Sequence, residues 1–455
     1  MSLLTFKRRI GITGLRNSGK TVFLTSLINH IKDHDPGAFP IGNGRALIRR
    51  FQPLDIDSDQ DAFNYEKYRD TLSVQGRWPE KTRAASHYRC SFERSDWIAR
   101  DIEIEFYDFP GERIADASMI EKKTFAGWSD DSLRRFDNEV DYREHTQAFL
   151  DLQQSDTVTE AALIEEYKLA LARLILHYKP LITPSTFLLG AQGDQASGKT
   201  PEDVAKDRYC GLSADQQFVP LSSQLRARYP DLAAHFENRF DDYKKTIVKP
   251  VFDYLKDCHR LIVLVDVTTL LAAGVGMYSD NKEIIDQLMN AVKPGATMLR
   301  QGVALLTSVI PVWKPGGVTR VAFVASKADK ALPSERDKLL SLLKQMTQKR
   351  ADDIDGLEAL YATASAIVST ELAPGSETML AGRPVSYQKK ELGPEDDLIR
   401  FNVSPVPEHW PNDWSAGEYQ FPDVFPVFPK RRDKAPRQFG LERVFDFLLK
   451  ERLSE

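Results

Sequence analysis

Eight residues near the N-terminus combine glycine, lysine and a hydroxyl at a spacing suited to binding phosphate: Gly14-Leu-Arg-Asn-Ser-Gly-Lys-Thr21. They fit the pattern G-x-x-x-x-G-K-S/T, in which backbone N–H groups surround a polyphosphate. Lys20 is predicted to reach the β- and γ-phosphates, and the Thr21 hydroxyl to ligate Mg²⁺. Gly14 and Gly19 allow backbone torsions and a close approach of phosphate that a Cβ would obstruct.

The segments on either side of this loop are typical of the strand and helix that such a loop joins. Arg9 to Thr13 is a short buried-strand pattern, and Val22 to Ile31 has apolar residues at helical spacing. A helix that begins directly after the loop points its N-terminal N–H groups at an anion. A second match to the pattern, Gly193 to Thr200, follows a poor strand and precedes acidic residues, so we interpret it as a surface loop.

A D-x-x-G sequence follows the second of two candidate strands. Ser86 to Arg94 and Asp101 to Tyr107 alternate polar and apolar residues, which predicts two strands joined by a polar turn. The second strand continues into Asp108-Phe-Pro-Gly111. In NTPases with this kind of loop, a carboxylate here holds Mg²⁺ and the glycine N–H contacts the γ-phosphate. Asp108 is therefore assigned to the metal, although D-x-x-G also occurs as an ordinary turn.

The apolar run Val321 to Ala325 predicts a buried strand that ends in Ser-Lys-Ala-Asp. This ending resembles the N/T-K-x-D element that selects guanine in GTPases, with Ser326 where Asn is usual. Asp329 would accept hydrogen bonds from the guanine ring N–H and amine, whereas adenine would leave the carboxylate unsatisfied. Lys327 would lay its aliphatic stem along the base.

Two more candidate strands complete this order. Leu360 to Ala366 predicts a last strand and a loop that closes over the base, with Ser365 and Ala366 as candidate contacts. Arg260 to Thr268 predicts a buried parallel strand, and Asp266 at its end is interpreted as a cap or turn residue rather than a ligand. The motifs follow one another in the order found in GTPases.

A second Mg²⁺ ligand is expected between the first helix and the Ser86 strand. The best candidate is Thr82 in the polar loop Gly76 to Arg83, with a plain helix-to-strand turn as the alternative. Trp78 and Arg83 could flank the nucleotide, and Trp78 could equally pack under the loop.

Residues for hydrolysis are expected after the D-x-x-G sequence. Glu112 stands where Ras-like proteins place a water-orienting Gln, and Arg113 could stabilise transition-state charge together with Lys20. Glu112 or Arg113 could instead form an ordinary surface ion pair, so slow intrinsic turnover is expected. Asn17 matches loops of the form G-x-x-N-x-G-K-S/T that hold K⁺ beside the phosphates, and potassium stimulation is a further hypothesis. The predicted nucleotide-binding set is Gly14, Asn17, Ser18, Gly19, Lys20, Thr21, Val22, Trp78, Thr82, Arg83, Gly111, Ser326, Lys327, Asp329, Ser365 and Ala366, and the predicted metal ligands are Thr21, Thr82 and Asp108.

Composition narrows the class of protein. The 455 residues carry a formal net charge of −5, which gives no support to a general nucleic-acid-binding surface. The 3 cysteines lack metal-type spacing and are too few for a disulfide framework, so a reducing cytosol is expected. No apolar run is long enough to cross a bilayer. A soluble cytoplasmic protein is predicted, with peripheral contact with the inner membrane left open.

Three regions are expected in this α/β chain. A nucleotide-binding domain with a mostly parallel sheet comprises residues 1–111, 258–370 and 437–455, and a helical insertion comprises residues 112–257. Residues 371–436 are rich in proline and aromatics and are expected to form a β or extended region. Because the insertion directly follows the D-x-x-G sequence, loss of the γ-phosphate would re-pose its helices. An unidentified protein partner is expected to bind the insertion or the extension.

The chain resembles the YcjX-like family of bacterial P-loop GTPases over essentially its whole length. The resemblance is carried by the phosphate loop, by Arg77-Trp-Pro-Glu-Lys-Thr82, by Asp108-Phe-Pro-Gly-Glu-Arg113, by Ser326-Lys-Ala-Asp329 and by the long helical insertion. It implies a Ras-like GTPase domain and an Mg²⁺-dependent, GTP-hydrolysing regulator linked to bacterial envelope stress.

Two other functions are weighed against this one. A module that binds GTP or GDP with negligible hydrolysis is favoured by the missing Gln at position 112. A kinase or ATPase that uses ATP is disfavoured by Asp329 and by the lack of an obvious acceptor site.

Overall fold

The computed structural model describes residues 5–14, 17–57, 61–79, 85–97, 101–109, 116, 119, 124–138, 140–178, 200–206, 212–292, 317–385, 398–431 and 434–450. The chain divides into two compact units. The first comprises Met1–Pro110, Leu255–Ala272 and Val292–Glu455, and the second comprises Gly111–Tyr254 and Ala273–Ala291.

The first unit is built on a mixed sheet that has seven strands in the described part of the chain, in the order β2-β3-β4-β1-β5-β6-β7. The two pairs β2–β3 and β3–β4 are antiparallel, and the remaining pairs are parallel. The mostly parallel sheet predicted from the sequence is therefore confirmed, and its order is that of a P-loop GTPase-like fold. The strands are β1 Phe6–Gly14, β2 Ile48–Leu54, β3 Ser86–Arg94, β4 Asp101–Asp108, β5 Arg260–Val265, β6 Arg320–Ala325 and β7 Glu358–Thr363.

The two units together contain thirteen α-helices in the described part of the chain. They are α1 Lys20–Lys32, α2 Tyr65–Ser73, α3 Phe125–Asn138, α4 Val140–Gln153, α5 Glu160–Tyr178, α6 Pro201–Lys206, α7 Ser223–Arg228, α8 Pro230–Tyr243, α9 Lys249–Asp257, α10 Val267–Ala273, α11 Val275–Ala291, α12 Arg336–Asp352 and α13 Leu441–Leu449. Among the described residues, none of the helices combines the length and the apolar composition that crossing a bilayer would require.

Parallel strand register brings the ends of five strands to one edge of the sheet. Ile12 in β1 lies beside Asp108, the last residue of β4, and Gly14 lies beside Leu264 in β5. Further along, the last residues of β5, β6 and β7 are successive partners in the register. Because ligands of open α/β sheets bind outside the carboxyl ends of the strands, this edge is where a site is expected.

The core of the first unit lies between one face of the sheet and helices α1 and α13. In α13, Leu441, Val444, Phe445 and Leu448 follow the spacing of one helical face, and all four are buried in the same cluster as Ile10 of β1. The last described helix therefore packs on the sheet of the first unit.

A small antiparallel sheet lies in the proline- and aromatic-rich part of the chain. It consists of β8 Glu371–Leu372, β9 Met379–Gly382 and β10 Ile399–Asn402, in the order β10-β9-β8. An isolated bridge pairs Pro384 with Val424, so the extended segment after β10 also takes part in backbone pairing.

The second unit is helical where it is described. Trp128, Phe218 and Phe240 pack as a buried aromatic group, with ring centroids 5.3–5.8 Å apart. The domain boundaries expected from the sequence stay predictions.

One buried histidine makes the stability of the first unit depend on pH. The ring of His30 is 1 % exposed and stacks on Phe39, with centroids 5.1 Å apart. Burial lowers the pKa of His30 from 6.5 to about 4. The unfolded chain therefore binds the proton more readily, so stability is fully present above pH 6.5 and is lost as the pH falls towards 4.

We predict that the free energy of unfolding falls by about 2 kcal/mol from this residue between pH 7.5 and pH 5. Urea unfolding at both pH values measures it. In His30→Leu the fall should be smaller by that amount, whereas His409→Gln, which changes an exposed histidine, should behave as the wild type does. An unchanged pH dependence in His30→Leu would contradict the assignment.

Candidate nucleotide-binding site

The phosphate loop leaves β1 at a glycine that no other residue can replace without strain. Gly14 has φ +139°, and a Cβ built on it would lie well inside van der Waals contact with the carbonyl oxygen of Leu264. Gly19 has φ +90° and Asn17 has φ 63°, so the loop passes twice more through the left-handed region before α1 begins. Residues 15 and 16 of the loop lie outside the described residues.

Lys20 lies across the inside of this loop. Its side chain is almost buried, at 8 % exposure, and its ammonium donates to the Gly14 carbonyl oxygen at 2.8 Å. The charge is therefore held within the loop, where a phosphate group would be bound.

The two predicted metal ligands that the structure describes are neighbours. The Thr21 hydroxyl donates to Oδ2 of Asp108 at 3.0 Å, and Asp108 is fully buried. The described residues hold no group of three or more His, Cys, Asp or Glu suited to a metal ion. A hydroxyl and one carboxylate fit Mg²⁺ in particular, because Mg²⁺ takes few protein ligands and completes its shell with water and phosphate oxygens.

Ser326 ties the predicted base-recognition element to the phosphate loop. Its hydroxyl donates to the Ser18 carbonyl oxygen at 2.8 Å, and its backbone N–H donates to the Val265 carbonyl oxygen at 3.0 Å. The serine that departs from the usual Asn thus makes a direct bond between the two motifs.

Asp329 is held as an oriented carboxylate. It is 4 % exposed; Oδ1 accepts from the Ser365 hydroxyl at 2.7 Å, and Oδ2 accepts from the Ser369 N–H at 3.0 Å. Each carboxylate oxygen can accept more than one hydrogen bond. The arrangement therefore has the capacity to accept two further donors from the edge of a base. The sequence pattern marks Ser365 as a candidate base contact but gives no signal for Ser369, because no motif includes that position.

Lys327 pairs with a residue that the sequence marked as structural. Its backbone is left-handed, with φ 53°, and its ammonium lies 2.9 Å from Oδ2 of Asp266. Asp266 also accepts from the Thr269 N–H at 3.0 Å, so the predicted cap at the start of α10 is confirmed. Burial opposes ionisation of Asp266, but the neighbouring Lys327 and Lys330 ammonium groups hold its pKa well below the usual range.

Three of the remaining predicted residues contact other parts of the protein, and five lie outside the described residues. The Trp78 indole N–H donates to the Val424 carbonyl oxygen at 2.8 Å, the Ala366 carbonyl oxygen accepts from Ser26 at 2.6 Å, and Val22 packs against a small cluster that contains Phe428. Other predicted residues lie outside the described part of the chain: Thr82, Arg83, Gly111, Glu112 and Arg113. The rejected second loop, residues 193–200, is described only at its last residue.

The chain is similar to known proteins along most of its length. A family model described as the YcjX-like family, DUF463, matches residues 8–453. A relative from Shewanella oneidensis called Ras-like GTPase YcjX is 23% identical over 444 residues, which cover 88% of this chain and 86% of the relative. A relative of the same name from Escherichia coli K12 is 24% identical over 496 residues, which cover 98% and 96%.

The close approach at Gly14 leads to a prediction about stability. Gly14→Ala should lower the free energy of unfolding by about 3 kcal/mol or more, because the methyl group must displace the β5 backbone as well as accept a strained φ. Urea unfolding at pH 7.5 measures it.

Gly375→Ala is the matched control. Gly375 also has positive φ, at +73°, but nothing lies within 4 Å of its added Cβ. This variant should lose only about 1 kcal/mol. Equal losses in the two variants would show that the contact with Leu264 is unimportant.

Proposed function

This chain belongs to the YcjX-like family, and from that premise we propose that it binds GTP and GDP and hydrolyses GTP with Mg²⁺ as a regulatory switch. The observation that carries the proposal is the oriented carboxylate of Asp329, whose element is bonded through Ser326 to the phosphate loop. Both named relatives are called Ras-like GTPase, which supports a GTPase-like function.

Selection of guanine follows from the chemistry of the Asp329 carboxylate. The edge of guanine that carries the ring N–H and the amine offers two donors, and a carboxylate accepts both. The corresponding edge of adenine presents a ring nitrogen that is itself an acceptor, so the buried carboxylate would lose its partners. Hydrogen bonds to charged groups contribute about 1.5–3 kcal/mol each. That is enough for strong preference between the two bases.

Phosphate binding would use the loop from Gly14 to Thr21. Lys20 would exchange the Gly14 carbonyl oxygen for phosphate oxygens, and Thr21 with Asp108 would hold Mg²⁺. When bound, the metal neutralises charge that develops on the phosphate oxygens. Thr82 as a further ligand, Gly111 as a γ-phosphate contact and Glu112 with Arg113 as hydrolytic residues stay predictions.

Several finer roles belong to the same proposal. Residues 112–257 would report the nucleotide state to a protein partner, Asn17 would support stimulation by K⁺, and Trp78 would flank the nucleotide. The stress link and a cytoplasmic location with peripheral contact at the inner membrane come from the family resemblance and from composition.

A GTP- and GDP-binding module with negligible hydrolysis is the second candidate. One observation favours it: Glu112 occupies the position at which Ras-like proteins carry a water-orienting Gln.

Calorimetric titration with GDP and ADP in Mg²⁺ tests base selection. We expect binding of GDP in the micromolar range and no signal with ADP. Asp329→Asn should weaken GDP binding about 10- to 100-fold, because the amide presents a donor to one of the guanine donors and removes the charge. Equal binding of the two nucleotides, or an unaffected variant, would refute guanine recognition and leave only the phosphate site.

Release of phosphate from GTP separates the two candidate functions. The wild type should show slow, Mg²⁺-dependent turnover, and Thr21→Ala should lower kcat at least about tenfold because the metal loses a ligand. Thr71→Ala removes a hydroxyl from α2 and should leave kcat unchanged. Wild-type protein that binds GDP but releases no phosphate in either K⁺ or Na⁺ would identify a binding module.

A further inference from the structure

The loop after β7 continues past the motif that resembles a base-contacting loop and wraps around Asp329. The Ser365 hydroxyl and the Ser369 backbone N–H donate to the two carboxylate oxygens. The Thr370 hydroxyl donates to the Asp329 backbone carbonyl oxygen. All four residues are buried, at 1–5 % exposure. Two donors to the carboxylate and one donor to the backbone of Asp329 therefore come from a single six-residue stretch of chain.

Ser369 has a second set of contacts that fixes its position. Its hydroxyl accepts from the Val427 N–H at 3.3 Å and approaches the Ile367 carbonyl oxygen at the same distance. Val427 lies in the extended segment Asp423 to Pro429, so the residue that donates to Asp329 is itself tied to a part of the chain 58 residues away.

The same loop is anchored by another C-terminal segment. Ser365 and Phe439 exchange both backbone hydrogen bonds, at 3.0 and 3.1 Å, and the Val368 N–H donates to the Arg437 carbonyl oxygen at 2.8 Å. The two donors on the Asp329 carboxylate are thus each supported from outside the loop, Ser365 by residue 439 and Ser369 by residue 427.

We propose that Ser369 is a positioning residue for guanine recognition, held in place by Val427 of the C-terminal segment. This inference rests on the proposed binding of guanine nucleotides. A carboxylate with one fixed donor can turn about its last torsion, which is broad and two-fold. A second donor on the other oxygen fixes the plane of the group. Only a fixed plane presents one oxygen to the ring N–H and the other to the exocyclic amine.

Comparing GDP with IDP in calorimetric titrations of the full chain with Mg²⁺ tests this role, because the base of IDP keeps the ring N–H and lacks the amine. Ser369→Ala keeps the backbone N–H that donates to Asp329 and removes the hydroxyl through which Val427 holds that N–H in place. It should weaken GDP binding about two- to tenfold, the effect of one neutral hydrogen bond. IDP binding should fall less, so the preference for GDP should contract. Ser369→Thr, which keeps a hydroxyl, should restore it.

Two variants of Val427 provide an independent test if changes at Ser369 prevent folding. Val427→Pro removes the N–H that donates a hydrogen bond to the Ser369 hydroxyl, and it should reduce the preference for GDP as Ser369→Ala does. Val427→Ala keeps the N–H and should match the wild type. Thermal unfolding followed by circular dichroism verifies that each variant is folded.

Three results are distinguishable. A reduced preference in Ser369→Ala and Val427→Pro, with recovery in the matched variants, supports the positioning role. Equal losses of affinity for GDP and IDP, or no loss, would overturn it. A change in a merely structural residue would weaken the binding of both nucleotides alike. Wild-type protein that binds GDP no better than ADP would instead refute the proposed function itself.

Discussion

The carbonyl oxygen of Leu264 lies so close to Gly14 that a Cβ at position 14 would clash with it. This close approach between β1 and β5 sets the point and direction at which the chain leaves the sheet. Lys20 and Thr21 then reach the edge formed by the strand ends, beside Asp108 of β4. The register of the parallel strands brings the other described motifs to the same edge, so one backbone contact and the sheet topology together place the described part of the candidate site.

Polar contacts join the parts of that site. The bonds from Ser326 to Ser18, from Ser365 to Asp329 and from Thr21 to Asp108 each cross between different strand ends. A single bond of this kind contributes only about 1 kcal/mol net. Their value is geometric: buried donors and acceptors that are paired in one arrangement are costly to separate, so the site is ordered before a ligand arrives.

Local sequence pattern predicted the strands that end in motifs, because each combines a buried apolar run with a distinctive polar ending. It did not predict β2, Ile48–Leu54, whose partly buried positions recur every three residues rather than every two. The cause is a register irregularity between Arg49 and Gln52, with φ 51° at Arg50. A bulge of this kind breaks the period of two on which strand recognition relies.

Local sequence patterns also did not predict contacts between residues that are far apart in the chain. The bond from Trp78 to Val424 spans 346 residues, and the pair of Lys327 with Asp266 joins two loops after neighbouring strands. Composition gives no signal for either. The second could have been inferred from topology alone, because β5 and β6 are parallel neighbours and the residues that follow them must lie side by side.

Three buried aspartates follow or end strands at the carboxyl edge of the sheet, and they differ in the groups that contact their carboxylates. Asp266 faces the ammonium of Lys327 at 2.9 Å, so its charge is matched within the protein and its role is to hold that lysine. Asp329 and Asp108 accept from serine and threonine hydroxyls, and a hydroxyl orients a carboxylate without itself carrying a positive charge. A carboxylate oriented in this way suits the role that we propose for each residue, Asp329 towards the donors of guanine and Asp108 towards Mg²⁺.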